Sequence, residues 1–341
     1  MRRIVPLAFF VLAQVALPAW AGPVGPAATW SSIPAPTHTV AQTGAVLLKG
    51  KIYLPGGIGP GSVYFDKVQI YTVSSQTWKV DKEVMPSGAE SQSAVCTDRS
   101  KVYVLGGIDS NGILLSSMQI YDPSQPRGSR WSTGPAMNIP GKGVLTDRDG
   151  GCAWVGGKLY VFGGEGRLNG NDATRKATYV FDPGTGKWAD SGFDMKVAKQ
   201  TFGYASNRKA AYAVGGETET GTFLQDAERF TPSGGWKAIA KLPQPPGAPK
   251  GTGLYAPGLG FLSGSLAVFG GLAQGGPSPV QNRTLLCALP CNPAHTWSNA
   301  NKNLIDAREE FGSASGGSTP TLYAIGGFGK IGWLSTTERT T

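Results

Sequence analysis

A pair of adjacent glycines recurs six times along the chain, and this repeat limits the possible folds more than any other feature. The doublets stand 50 to 57 residues apart, at Gly56-Gly57, Gly106-Gly107, Gly163-Gly164, Gly215-Gly216, Gly270-Gly271 and Gly326-Gly327. A tyrosine lies three residues before five of the doublets, and Ala267 takes that position before the fifth. A constant offset of this kind predicts one structural unit repeated six times.

Each unit has the pattern of four short β-strands. An apolar run such as LYVF at 159–162 precedes each doublet and is too short for a helix. A later aromatic residue, such as Tyr121 or Phe181, marks another strand. Four strands at a period near 50 are typical of a β-propeller blade, so we predict an all-β fold. We expect one tryptophan per blade to pack against a neighbouring blade, namely Trp30, Trp78, Trp131, Trp188, Trp236 and Trp297.

The order of these features resembles the kelch repeat. An apolar strand, two glycines and a variable loop are followed by an aromatic-Asp-Pro motif, as in Tyr121-Asp122-Pro123 and Phe181-Asp182-Pro183, and then by tryptophan. The resemblance covers almost the whole chain beyond its first residues and implies a six-bladed kelch-type β-propeller. It does not imply one function, because propellers serve both as enzymes and as binding platforms.

The two ends of the repeat region complement each other. The segment around Trp30 matches the last strand of a blade although no doublet precedes it, and 335–341 match a third strand after which the chain stops. We therefore expect the N-terminal strand to complete the sixth blade and to leave no unpaired edge there. The expected single domain is 29–341, with blades at about 38–85, 86–138, 139–195, 196–243, 244–305, and 306–341 plus 29–34.

Residues 1–21 have the pattern of a secretory signal peptide. Two arginines precede an apolar run that ends in Ala19-Trp20-Ala21, an A-x-A cleavage site. We expect cleavage after Ala21, a linker at 22–28, and a periplasmic or secreted protein. The sequence contains no other apolar stretch of spanning length, so we also expect no membrane span and a monomer.

Four cysteines would enter an oxidising compartment after export. Cys287 and Cys291 lie close together in one hairpin, and we expect them to form a disulfide. Cys96 and Cys152 lie on the first strands of adjacent blades but are offset by one residue. Because that offset turns the side chains to opposite faces of their sheets, we expect two buried free thiols.

The loops that follow the doublets and the loops that enter the first strands are expected on one face of the propeller. Glu165 and Glu217 are the candidate catalytic residues, since each directly follows a doublet, in adjacent blades. Trp333 lies outside the repeat register and could contact a ligand. The other expected ligand-binding residues on this face are Asp109, Arg167, Glu219, Glu90, Lys199 and Arg308; Asp147-Arg148-Asp149, Glu309 and Glu310 belong to the same loops.

Composition narrows the possible chemistry. The chain has only two histidines, His38 and His295, so a three-histidine zinc site is excluded. We expect no metal and no cofactor. Although the net charge is +9, the basic residues are scattered without a run, so we expect no nucleic-acid partner.

The chain also resembles the exported bacterial N-acetylneuraminate epimerases, which are sialic acid mutarotases built from kelch repeats. That family places a glutamate after a glycine that ends a strand and an arginine a few residues later. Here Arg167 follows Glu165 by two residues, and no arginine follows Glu217 before Arg229. The resemblance implies a glutamate as acid/base and an arginine holding the sugar carboxylate.

The residues themselves form no complete catalytic set. We therefore expect a binding platform for a glycan or a protein, an anionic ligand included, and keep sugar mutarotation as the alternative. Whether the protein is an enzyme stays open at this point.

Overall fold

The computed structural model describes residues 29–88, 90–275 and 279–340; the expected signal peptide and the linker at 22–28 lie outside them. Within these ranges the chain forms six four-stranded antiparallel sheets. The first strands of neighbouring sheets contact one another in a closed cycle, so the sheets stand as six blades around one axis. The predicted six-bladed β-propeller is confirmed.

In every blade the first strand is innermost and the others follow outward in order. The first three blades have the strands Val46–Leu48, Lys51–Pro55, Val68–Thr72 and Thr77–Val80; Ala94–Thr97, Val102–Leu105, Met118–Tyr121 and Trp131–Thr133; Gly151–Val155, Lys158–Phe162, Ala177–Asp182 and Lys187–Asp194. The last three have Gly203–Ser206, Ala211–Val214, Ala227–Thr231 and Gly235–Ala238; Gly258–Leu262, Ser265–Phe269, Thr284–Ala288 and Ser298–Asn299; Gly312–Gly316, Thr321–Ile325, Thr337–Thr340 and Trp30–Ile33.

The N-terminal strand completes the sixth blade, as predicted. Trp30–Ile33 pairs antiparallel with Thr337–Thr340, the third strand of that blade. The buried Trp30 ring lies 5.2 Å from the Phe269 ring of blade five, and its indole N–H donates to Thr284 Oγ1 at 2.9 Å. The strand is therefore held by backbone pairing to one blade and by side-chain packing to another.

The glycine doublets join each blade to the next. The N–H of every second glycine donates to a backbone carbonyl of the following blade at 2.6–2.9 Å, and both glycines have positive φ. A Cβ on the first glycine would lie less than 3.0 Å from that same carbonyl oxygen. Both conditions favour glycine. The six pairs are Gly57 with Glu90, Gly107 with Asp147, Gly164 with Lys199, Gly216 with Leu254, Gly271 with Arg308, and Gly327 with Val40.

Tryptophans bind the outer parts of the blades together. Five of the six predicted blade tryptophans donate their indole N–H to the preceding blade at 2.8–3.0 Å. Trp188, for example, reaches the Pro135 carbonyl oxygen, and Trp236 reaches Thr178 Oγ1. The structure thus places these residues in blade-to-blade packing.

The predicted disulfide between Cys287 and Cys291 is confirmed, but the expectation of free thiols at Cys96 and Cys152 is wrong. These two cysteines form a disulfide across blades two and three, with their Cα atoms 5.8 Å apart. The one-residue offset is real, since Cys96 lies opposite Tyr103 and Cys152 lies opposite Val161. However, two neighbouring blades meet through opposite faces of their sheets, so the offset brings the two side chains together.

We predict that the two disulfides contribute unequally to stability. The Cys96–Cys152 bond joins residues 56 apart, whereas Cys287–Cys291 joins residues four apart. Loop-closure entropy then makes double substitution to alanine cost about 4 kcal/mol for the first pair and about 2 kcal/mol for the second. Denaturant unfolding under oxidising conditions measures both, and the reduced unmodified protein is the control. An equal or reversed ranking would contradict this account.

Candidate functional site

A cavity of about 1100 Å³ runs along the propeller axis. The first strands of all six blades line it, and its two ends open on opposite faces. One end lies on the side of the glycine doublets, and the other lies at the turns between first and second strands. Residues from each blade in turn line the wall, namely Val46, Val95, Cys152, Tyr204, Leu259 and Ala314.

A ring of six residues with left-handed backbone surrounds the end on the doublet side. Each blade contributes one residue just before its first strand, with φ between 46° and 59°. Backbone N–H groups of five of the six residues donate to the carbonyl of the ring residue in the preceding blade at 2.7–2.9 Å. Such conformations persist only where the surrounding structure enforces them, so the rim is rigid. The ring residues are Gln42, Gln92, Asp149, Thr201, Ala256 and Glu310, and we call the opening that they surround the doublet mouth.

The side chains of the ring bond to one another around the mouth. Gln42 Nε2 donates to Glu310 Oε2 at 2.8 Å, and Gln92 Nε2 donates to Asp149 Oδ2 at 3.0 Å. The Tyr255 hydroxyl, next to the ring, donates to Glu310 Oε1. Amide and carboxylate groups from separate blades are therefore held in fixed positions at one opening.

Glu165 and Glu217 lie beside this ring. Each follows its doublet and forms an isolated antiparallel β-bridge with the residue that precedes a ring residue. Arg148 forms an ion pair with Glu165 at 3.0 Å, and Gln200 Nε2 donates to Glu217 Oε1 at 3.3 Å. The arginine beside Glu165 is thus Arg148, from the loop that enters the first strand of the same blade, and not Arg167.

The carboxyl groups at the mouth are close enough to affect one another. Burial, and next the Glu310 carboxylate, raise the pKa of Asp149 well above its usual range. Burial also raises the pKa of Glu217, with smaller contributions from Glu165 and Glu310. Burial and the charge of Glu310 raise the pKa of Glu309 to about 7. Glu309 can therefore hold a proton near neutral pH, and Asp149 and Glu217 keep their protons to higher pH than free carboxyl groups do.

Buried polar atoms without a partner occur at the same place. In the described part of the chain, Arg148 Nε, Gln200 Oε1 and Glu309 Oε2 are buried and make no hydrogen bond. All three belong to residues that directly precede a ring residue. An unsatisfied buried polar atom is costly, and bound water or ligand commonly satisfies it.

Three of the predicted ligand-binding residues lie in the interior instead. Burial raises the pKa of Glu90 to about 8, and its carboxylate accepts from Ser93 and Gln119. Lys199 is fully buried and contacts the carboxylates of Asp226 at 2.6 Å and Glu228 at 3.3 Å. The fully buried Arg308 pairs with Glu338 at 2.5 Å. These residues lie two positions before the ring, and their side chains bond to the third strand of their own blade rather than face a ligand.

The other predicted residues lie on outer hairpins of the same face. Asp109 accepts from backbone N–H groups of its own turn, Arg167 is exposed beside Asp172, and Glu219 is exposed. The Trp333 ring lies 4.5 Å from the Phe328 ring and is half-buried. The structure does not bring these four residues to the ring.

Tyr204 crosses the cavity. It belongs to blade four, yet its hydroxyl accepts from the Val95 backbone N–H of blade two at 2.8 Å and donates to the Val95 carbonyl at 3.3 Å. A Cβ on Gly44 of blade one would lie 3.0 Å from the same hydroxyl. Burial raises the pKa of Tyr204 to about 12, so the group stays neutral. Tyr204 therefore reaches across the cavity between the doublet mouth and the opposite opening.

Sequence reasoning missed Gln42, Gln92, Thr201 and Tyr204. A signal for the first three was present, since the ring residue stands 14 residues before the first glycine of five doublets and 16 before the last. That spacing involves several residue types, so composition does not reveal it. The position of Tyr204 depends on a contact between blades two and four, which no local pattern encodes.

The described residues contain no group of three or more histidine, cysteine, aspartate or glutamate side chains placed to hold a metal ion. In the same part of the chain, no helix is long and apolar enough to cross a membrane.

Six blades joined through glycine doublets around an axial cavity define a six-bladed β-propeller. A family model, the KLHDC2/KLHL20/DRC7 Kelch-repeats domain, matches residues 37–271. The chain therefore belongs to the kelch-repeat family. A solved structure titled "Structure of YjhT" is similar in fold, with a TM-score of 0.68 and 16% identity, over 91% of this chain and 95% of that one. A search of curated proteins found no match.

We predict that Asp149→Asn raises the unfolding free energy relative to wild type, and that this gain increases with pH. Because the folded-state pKa of Asp149 lies above its unfolded value of about 4, the wild type loses stability as pH rises through that folded pKa. The variant avoids this loss, so its advantage in unfolding free energy should increase from acidic to alkaline pH. Denaturant unfolding across pH measures the difference.

Asp109→Asn is the control with the opposite sign. Backbone N–H groups, that of Ile113 first, hold the pKa of Asp109 below its usual range, so its substitution should cost stability above that range and cost nothing in acid. Parallel pH profiles for the two variants would contradict the assignment of Asp149.

Proposed function

We propose that the protein binds a carbohydrate at the doublet mouth. The observation that carries this proposal is the ring itself, which presents two amides, two carboxylates and a hydroxyl from five blades around an axial cavity. Such donors and acceptors match the hydroxyl groups of a sugar, and their rigid placement lowers the entropy cost of binding. The unsatisfied atoms of Arg148, Gln200 and Glu309 add further capacity for hydrogen bonds.

The charges at the mouth favour a neutral or cationic sugar over the anionic ligand considered from sequence. The ring residues and their neighbours carry one guanidinium, that of Arg148, which is already paired with Glu165. An anionic sugar would add its charge to a cluster of carboxyl groups that already raise one another's pKa, and like charges in a partly buried site repel strongly. The carboxylates belong to Asp149, Glu165, Glu217, Glu309 and Glu310.

Aromatic rings beside the mouth provide apolar surface for a sugar ring. Phe223 stacks on Tyr255 with ring centroids 5.3 Å apart, and the Tyr255 hydroxyl binds the ring residue Glu310. Phe328, which pairs with Glu309, carries Trp333 on its other side. Amphipathic aromatic residues next to polar groups are common in small-molecule sites.

We expect Glu310→Gln to weaken saccharide binding roughly tenfold, because it removes a charge-assisted hydrogen bond while keeping the side-chain volume. A glycan array identifies the ligand, and calorimetry with that ligand measures the loss. Glu219→Gln is the matched control, since it changes the same charge on an exposed hairpin of the same face. Absence of any saccharide binding, or an equal loss in both variants, would refute the proposal; capture of a protein partner alone would favour the platform for proteins.

Sugar mutarotation is the second candidate. It is favoured by the raised pKa values of Asp149 and Glu217, since ring opening needs one group to take the proton of the anomeric hydroxyl and another to protonate the ring oxygen as the C–O bond breaks. Reclosure on the other face returns both protons. Nothing is consumed, so the reaction requires no cofactor.

If this candidate holds, Glu217→Gln should slow anomer interconversion by about 10²–10⁴-fold, the usual contribution of a general acid or base. Proton NMR on freshly dissolved N-acetylneuraminate, and on any sugar identified by the array, measures the rate. Glu165→Gln tests the second glutamate, and Glu219→Gln again serves as control. A rate equal to that in buffer removes mutarotation and leaves the binding proposal unaffected.

We also propose that the protein is exported. Support comes from the signal-peptide pattern at residues 1–21, which lie outside the described residues, and from the two disulfides, which favour an oxidising compartment.

A further inference from the structure

The opening opposite to the doublet mouth is positively charged, whereas the doublet mouth is acidic. It is formed by the turns between the first and second strands of the blades, and we call it the far mouth. Lys49 of blade one, Arg99 of blade two and Arg208 of blade four line the cavity there, and all three are exposed. None of the three has an ion-pair partner among the described residues.

Among the described residues, one carboxylate lines this opening, and it already accepts hydrogen bonds. Asp98 accepts from the Ser100 and Lys101 backbone N–H groups, both at 2.7 Å, and from the Tyr103 hydroxyl at 2.9 Å. These bonds fold its carboxylate back into its own turn and hold its pKa below the usual range. The three positive charges at the far mouth therefore exceed the single negative charge of Asp98, which is directed into its own turn.

The turn of blade three leaves a gap between the two arginines. It consists of Gly156 and Gly157, which have no side chains, and a Cβ on Gly157 would meet no atom within 4 Å. The Gly156 N–H donates to the Arg208 carbonyl oxygen at 3.3 Å, which fixes the neighbouring turn. Arg99 lies on the other side of the gap. Burial lowers the pKa of Arg99, and the positive charge of Arg208 lowers it further. Two guanidinium groups thus flank an open space.

We propose that the far mouth binds a multiply charged oxyanion, a phosphate or sulfate group, between Arg99 and Arg208. Guanidinium groups bind such oxygens through paired N–H donors, and a divalent anion offsets the repulsion between two arginines. Lys49 adds a third positive charge at the same rim. The site is separate from the doublet mouth, because Tyr204 lies between the two openings and the doublet mouth is acidic.

Calorimetric titration with inorganic phosphate and with sulfate tests the site directly. We expect Arg99→Gln and Arg208→Gln each to weaken binding at least tenfold, and affinity to fall as sodium chloride is added. Arg127→Gln is the control, since it removes the same charge from an exposed loop at the outer rim of blade two. Equal losses in all three variants would overturn the proposal, because they would show only a general effect of net charge.

Substitution in the gap gives a second, independent measurement. Asparagine and aspartate both tolerate positive φ and have the same size, so Gly157→Asn and Gly157→Asp differ only in charge. We expect Gly157→Asp to abolish phosphate binding, because its carboxylate occupies the position of the anion, and Gly157→Asn to retain most of it. Equal affinities for the two variants would overturn the proposal.

A third titration distinguishes the source of the anionic group. A sulfated oligosaccharide that binds at least tenfold more tightly than inorganic sulfate, and loses that advantage in Arg208→Gln, identifies a polymer-borne group. Equal affinity for the oligosaccharide and for inorganic sulfate identifies a free ion as the ligand. No binding of phosphate, sulfate or the oligosaccharide at low salt would refute the site. Loss of saccharide binding at the doublet mouth would leave these results unchanged.

Discussion

The hydrogen bond from the second glycine of each doublet to the next blade is the contact on which the rest of this propeller depends. It fixes the end of a second strand against the loop that enters the neighbouring first strand. That loop continues, two residues later, into the left-handed ring residue. The position of the ring is therefore set by backbone contacts that do not depend on ring side chains. Six rim positions can differ in chemistry while their geometry stays the same.

Because the ring geometry does not depend on its side chains, a protein that is basic overall can have an acidic opening. The net charge of +9 describes the whole surface, whereas the ring and its neighbours concentrate carboxylates at one end of the axis and arginines lie at the other. Tyr204 crosses between them and bonds to a backbone edge in blade two. Two ligands of opposite character could therefore be held on one axis without sharing a contact.

The sequence was enough to predict the blades, because glycine doublets and tryptophans act through local backbone geometry that repeats. It was not enough to predict which charged residues face a ligand. Glu90, Lys199 and Arg308 were expected at the loop face, but each lies two residues before the ring, where side chains turn inward and bond to the third strand of their own blade. The pairing of Cys96 with Cys152 was missed for a related reason, since strand register gives the face of one sheet and not which faces of two blades meet. Tyr204 depends on a contact across the axis, beyond any local pattern.

The strand that completes blade six has a consequence for folding kinetics. Its partner strand follows it by some 300 residues, and the bond between Ser31 and Arg339 spans 308. Contacts this remote in sequence carry a large loop-closure entropy and form late. Until they form, blade five lacks the Trp30 ring that covers Phe269, and an unpaired edge stays open to other chains. Blade six is thus where an incompletely closed ring would aggregate. A circular permutant with its ends in another loop would transfer this late-forming, exposed edge to a different blade.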